Sequence, residues 1–71
     1  MRDLVSKIRN LVSKWERGGE AYYLFQRGHY RYELERCING HWLLVQRFDM
    51  PLGQVNLRLS ETYRLVCEFG Q

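Results

Sequence analysis

Proline is almost missing from this 71-residue chain, which holds only Pro51. With 45% apolar residues beside it, that scarcity excludes a proline-rich linker and a disordered composition. Cysteine is scarce too. Cys37 and Cys67 can close at most one bridge, which excludes a disulfide-dense secreted scaffold. No apolar run approaches the roughly 20 residues that a membrane-spanning helix needs, and no charged-then-apolar leader with a small-residue cleavage site opens the sequence. Together these absences predict a reduced, cytoplasmic protein with no transmembrane segment.

Catalytic motifs are missing as well. The chain has no Gly-rich phosphate loop, no Walker-type lysine and no Gly-x-Ser-x-Gly. His29, Cys37, His41 and Cys67 have the side chains of a zinc site, but no Cys-x-x-Cys or His-x3-His pair sets their spacing. Glu33 and Glu35 sit two apart on one strand among arginines, which suits a solvated edge better than paired-carboxylate hydrolysis. The expectation is a protein that is not an enzyme, with no metal, cofactor or small-molecule substrate.

What the chain does have is aromatic mass and arginine. Five Tyr, three Phe and two Trp can build a core, although a domain of this size buries only about 60% of its unfolded surface. The net charge of +3 has a location. Through residue 17, Arg2, Lys7, Arg9, Lys14 and Arg17 outnumber Asp3 and Glu16 by three, while beyond it six Arg balance six acids. Arginine greatly outnumbers lysine, which favours planar and stacked contacts over plain solvation.

Residues 3–17 contain a seven-residue echo, Leu-Val-Ser-Lys, at 4–7 and 11–14. At 100° per residue, Leu4, Val5, Ile8, Leu11, Val12 and Trp15 share one arc. Asp3, Ser6, Lys7, Asn10, Ser13, Lys14 and Arg17 fill the other side. The spacing predicts an amphipathic helix stopped by Gly18-Gly19. From Glu20 the composition turns to β. Asn39-Gly40 is a strong hairpin signal, since both turn positions of a type I′ turn want positive φ. Residues 20–48 therefore read as a three-stranded antiparallel meander. Residues 49–53 form a loop. The alternation of Val55, Leu57 and Leu59 then predicts a fourth strand, and residues 60–69 read as a further strand or a short helix, with strand preferred.

The hairpin sets which side chains share a face. A two-residue turn opposes Ile38 to His41 and Cys37 to Trp42, and unbroken alternation then groups Trp42, Leu44 and Phe48 on one face opposite Leu43 and Val45. Strand 42–48 is thus apolar on both sides, more than a single helix can cover.

The sequence is accordingly read as a single α+β domain over 1–71, an N-terminal amphipathic helix packed on a small antiparallel sheet with one or two C-terminal elements. The expected function is a non-enzymatic binding module, a homodimer or an accessory or inhibitor of a larger partner. In that reading Trp42, Leu44 and Phe48 anchor the contact and Arg31 and Arg47 orient it. The alternative is nucleic-acid binding through the basic helix face, by Lys7, Lys14 and Arg17 with Arg27 and Tyr30 assisting.

Overall fold

A computed structural model describes residues 10–65. Four strands, β1 (Leu11–Arg17), β2 (Glu20–Gly28), β3 (Arg31–Ile38) and β4 (His41–Phe48), form one antiparallel sheet in the order β1-β2-β3-β4. A helix, α1 (Leu52–Arg58), follows and continues into a π-helical turn over Leu59–Tyr63.

The expected helix over 3–17 is overturned where it can be compared, because residues 11–17 are a strand. Residues 3–9 lie outside the described residues. The reason lies in Gly18-Gly19. Their φ angles of 56° and 81° make a two-residue hairpin turn, with Arg17 facing Glu20, where the sequence suggested a helix stop. A glycine pair that tolerates positive φ serves either purpose. An extra residue at Val12 also bulges β1, since Leu11 faces Phe25 and Ser13 faces Leu24. The bulge breaks the two-residue alternation and so hides the strand from a periodicity reading. Among the described residues the meander therefore has four strands starting at Leu11, where three starting at Glu20 were expected.

The Asn39-Gly40 turn has φ angles of 52° and 81°, and it opposes Ile38 to His41 and Cys37 to Trp42. Further along, β4 carries an extra residue at Val45, so that Glu35 faces Leu44 but Leu34 faces Gln46. The parity of β4 is reversed beyond that point. Phe48 faces Tyr32 and is buried with it, on the face opposite to Trp42 and Leu44.

The fourth strand expected from Val55, Leu57 and Leu59 is also overturned, since these residues belong to α1 and the π turn. Pro51 stands in extended conformation before the helix, and its carbonyl accepts the amides of Gln54 and Val55. Val55 and Leu59 are four apart on one side of the helix and fully buried, while Leu57 points outward and is 59% exposed. Residues 60–63 complete the π turn, and the remainder of the expected C-terminal strand, 66–69, lies outside the described residues.

The core explains why helix wins over strand. Leu24, Tyr32, Leu34 and Phe48 on one face of the sheet meet Val55, Leu59 and Leu65 in a single cluster. Each large apolar side chain so covered contributes roughly 1.5–3 kcal/mol. A strand over 54–59 would offer a half-apolar edge, whereas the helix offers a continuous stripe over that face. We call this the helix face, and its reverse the aromatic face.

The end of the C-terminal turn is held by side chains. Arg64 adopts φ 60°, and the Leu65 amide reaches back to the Leu59 carbonyl at 3.1 Å. Arg17 donates to the carbonyls of Tyr63 and Arg64 at 3.2 and 3.1 Å, while the Tyr63 hydroxyl donates to Gln46 Oε1 at 2.6 Å.

Candidate binding surfaces of the sheet

The aromatic face is built from residues that alternate with the core positions. Tyr23 and Phe25 on β2 lie beside Trp42 on β4, with ring centroids 4.9 Å (Tyr23–Trp42), 5.9 Å (Phe25–Trp42) and 6.1 Å (Tyr23–Phe25) apart. Phe25 is buried, with the Arg27 guanidinium 4.8 Å above its ring. Lys14 sits 5.7 Å from the Tyr23 ring centroid and 3.2 Å from Glu16. Its hydrogen bond to Glu16, with the nearby Tyr23 and Glu16 charges, holds the Lys14 pKa above its ordinary value.

Toward the β2–β3 turn this face becomes ionic. Arg27, at the extra residue of a bulge in β2, reaches Glu33 Oε1 at 3.2 Å and Glu35 Oε2 at 3.4 Å. Arg47 Nε donates to Glu33 Oε2 at 3.1 Å, and Arg31 Nε lies 3.7 Å from Asp49. Partial burial pushes the Glu33 carboxyl up, but the hydrogen bonds and charges of Arg27 and Arg47 outweigh it and hold Glu33 below the usual carboxylate range. Arg27, Arg31, Glu33, Arg47 and Asp49 line an open depression of about 520 Å³. At the adjoining turn Tyr30 is 54% exposed and stacks on His29, with ring centroids 4.3 Å apart.

The residues singled out from the sequence are thus divided. Trp42 and Leu44 share the aromatic face, with Arg31 and Arg47 at its ionic end, whereas Phe48 belongs to the core on the other side. Arg47 reaches Glu33 because of the same Val45 bulge, since unbroken alternation would have put it on the helix face. Among the nucleic-acid candidates, Arg27 and Tyr30 lie together at the β2–β3 end. Lys14 faces the aromatic side, Arg17 turns to the helix side near the β1–β2 turn, and Lys7 lies outside the described residues. No single basic face collects all five.

Sequence reasoning missed Leu43, which is 51% exposed on the helix-face side of β4, next to Leu44, 48% exposed on the other. The double-sided apolarity of 42–48 was the available signal. It was discounted on the side where a helix was expected to provide cover. The missed role of His29 had no comparable signal, because stacking across a turn depends on turn geometry.

Cys37 and His41 lie on opposite faces of their hairpin, and among the described residues no three His, Cys, Asp or Glu side chains gather in a metal-binding group. No helix among the described residues is long and apolar enough to cross a membrane. Comparison with known proteins found no match to this chain among family models, curated proteins or solved structures.

Proposed function

We propose that this protein is a small, non-enzymatic binding module that pairs with a second copy of itself along β4. The observation that carries the reading is the exposure of two consecutive leucines, Leu43 and Leu44, on a strand at the end of the sheet order. Adjacent residues of a strand point to opposite faces, so β4 is apolar and exposed on both sides of its edge at once. Such edges template further pairing unless charge, proline or a bulge prevents it.

The two terminal strands differ in this respect. β1 carries Lys14, Glu16 and Arg17, which blunt it. Residues 41–46 of β4 carry no formal charge with His41 neutral, so antiparallel self-pairing opposes no like charges. With Leu43 on the two-fold axis, Trp42 of each chain faces Leu44 of the other. The bulge at Val45 bends the strand beyond this stretch and limits the seam to residues 41–45. A seam so short supports association with Kd on the order of micromolar or weaker.

Light scattering across a concentration series tests this directly. The wild type is expected to shift from monomer toward dimer as concentration rises, and Leu43→Lys to remain a folded monomer throughout. A wild type that stays monomeric at millimolar concentration overturns the proposal, as does a dimer that Leu43→Lys leaves intact.

A further inference from the structure

We propose that the β2–β3 end of the aromatic face is a binding site for single-stranded nucleic acid, with Tyr30 as the stacking platform and Arg31 and Arg47 as the phosphate contacts. The site is independent of self-pairing, which uses the opposite end of β4.

Three features converge there. The first is an exposed aromatic plane. Tyr30 is 54% exposed and backed by the His29 ring at 4.3 Å and 23°, so one face of the tyrosine is braced by the imidazole while the side chain remains open to solvent. An unpaired base stacks on such a surface without regard to its identity. The second is the arginine cluster, in which Arg27, Arg31 and Arg47 line one depression and Arg31 directly follows Tyr30 in the chain. Phosphodiester oxygens suit guanidinium donors, which present two parallel N–H groups to an anion.

The third concerns the carboxylates, which at first sight neutralise the arginines. Glu33 and Asp49 engage Arg47 and Arg31 through Nε, and Glu33 takes Arg27 through Nε as well. A guanidinium held at its Nε side keeps terminal N–H donors for a second acceptor. Glu33 is half-buried at the floor of the depression with one arginine on each oxygen, while Arg31 and Arg47 are exposed at its rim. The recessed carboxylate thus acts as a positioning residue for the exposed Arg47, while Arg27 is held by Glu33 and Glu35 together. The ligand chemistry this selects is an anion joined to a flat ring, in a strand whose bases are unpaired.

Fluorescence anisotropy with labelled twelve-nucleotide oligo-dT and oligo-rU, at 50 and 200 mM salt, tests the site on the full chain. The wild type is expected to bind at 50 mM salt and to weaken several-fold at 200 mM. Tyr30→Ala is expected to weaken binding about five-fold or more, and Arg31→Ala and Arg47→Ala to weaken it and flatten the salt dependence. Arg58→Ala removes an equal charge from the exposed helix and is expected to change binding less than two-fold. Asp49→Asn removes the rim carboxylate and is expected to tighten it. All of these side chains are exposed, and circular dichroism verifies that each variant keeps its fold. Absence of saturable binding at 50 mM salt overturns the proposal. So does an effect of Arg31→Ala and Tyr30→Ala no larger than that of Arg58→Ala, or equal affinity for a duplex of the same length.

Discussion

Glu33 takes one arginine on each carboxylate oxygen, and its protonation state is therefore tied to the fold. Its pKa is lower folded than unfolded, so folding favours the ionised form. The stabilisation is fully present above the ordinary carboxylate pKa and is lost as pH falls through the lowered folded value. Urea midpoints are expected to be level near neutrality and to decline below about pH 4.5. Glu33→Gln should be less stable than the wild type near neutrality, by about 1 kcal/mol given the partial exposure of the network, and should show a shallower acid decline. An unchanged acid limb in Glu33→Gln would place the pH dependence in other carboxylates. Arg17 works at the same scale by a different means. Its guanidinium meets two carbonyls that the left-handed turn at Arg64 leaves facing it, and Arg17→Ala is expected to lower stability by roughly 1 kcal/mol in the same denaturation assay.

At the scale of elements, the bulge at Val45 decides which face receives Phe48. Deleting Val45 removes only the extra residue, so Leu44 and Gln46 become consecutive while Phe48 keeps its place in the core and Arg47 stays on the aromatic face. The deletion is therefore expected to keep a cooperative thermal transition, whereas Phe48→Ala, which removes a fully packed ring at a cost of about 3–5 kcal/mol, is expected to abolish it. Leu44→Ala serves as the comparison, since it trims an exposed side chain and should change stability by less than about 0.5 kcal/mol. If Leu44→Ala is as damaging as Phe48→Ala, the assignment of faces is wrong. The same bulges mark where the sequence could and could not be read. The Asn39-Gly40 hairpin was legible because its turn chemistry is local and its first pairs precede the bulge. β1 was not, because Val12 interrupts its alternation and leaves a pattern that also fits a helix. α1 was missed because Val55 and Leu59 are spaced for either period and Leu57 between them completes a strand alternation. Only the need to cover Leu24, Leu34 and Phe48 chooses between them, and that need is a property of the assembled sheet. For the candidate sites, residue types were visible and their grouping was not. Trp42 with Leu44 followed from alternation, while Tyr30 with His29, and Arg47 with Glu33, depend on turn and bulge geometry.

For the whole molecule, the two proposed contacts occupy opposite ends of β4. Leu43→Lys should therefore prevent self-association without disturbing oligonucleotide binding, and Arg31→Ala should do the reverse, with light scattering and anisotropy run on the same two samples. Loss of both activities in either variant would mean that the contacts are one surface. The strand order also bears on how the chain acquires its structure during synthesis. Every strand pairs with its neighbour in sequence, so each hairpin can close soon after it leaves the ribosome, without waiting for a distant partner. The cover for the core face is made last, in α1 and Leu65. A chain whose sheet has closed but whose α1 has not yet docked therefore displays Leu24, Leu34 and Phe48 uncovered, and it is in that intermediate that the protein is most exposed to aggregation.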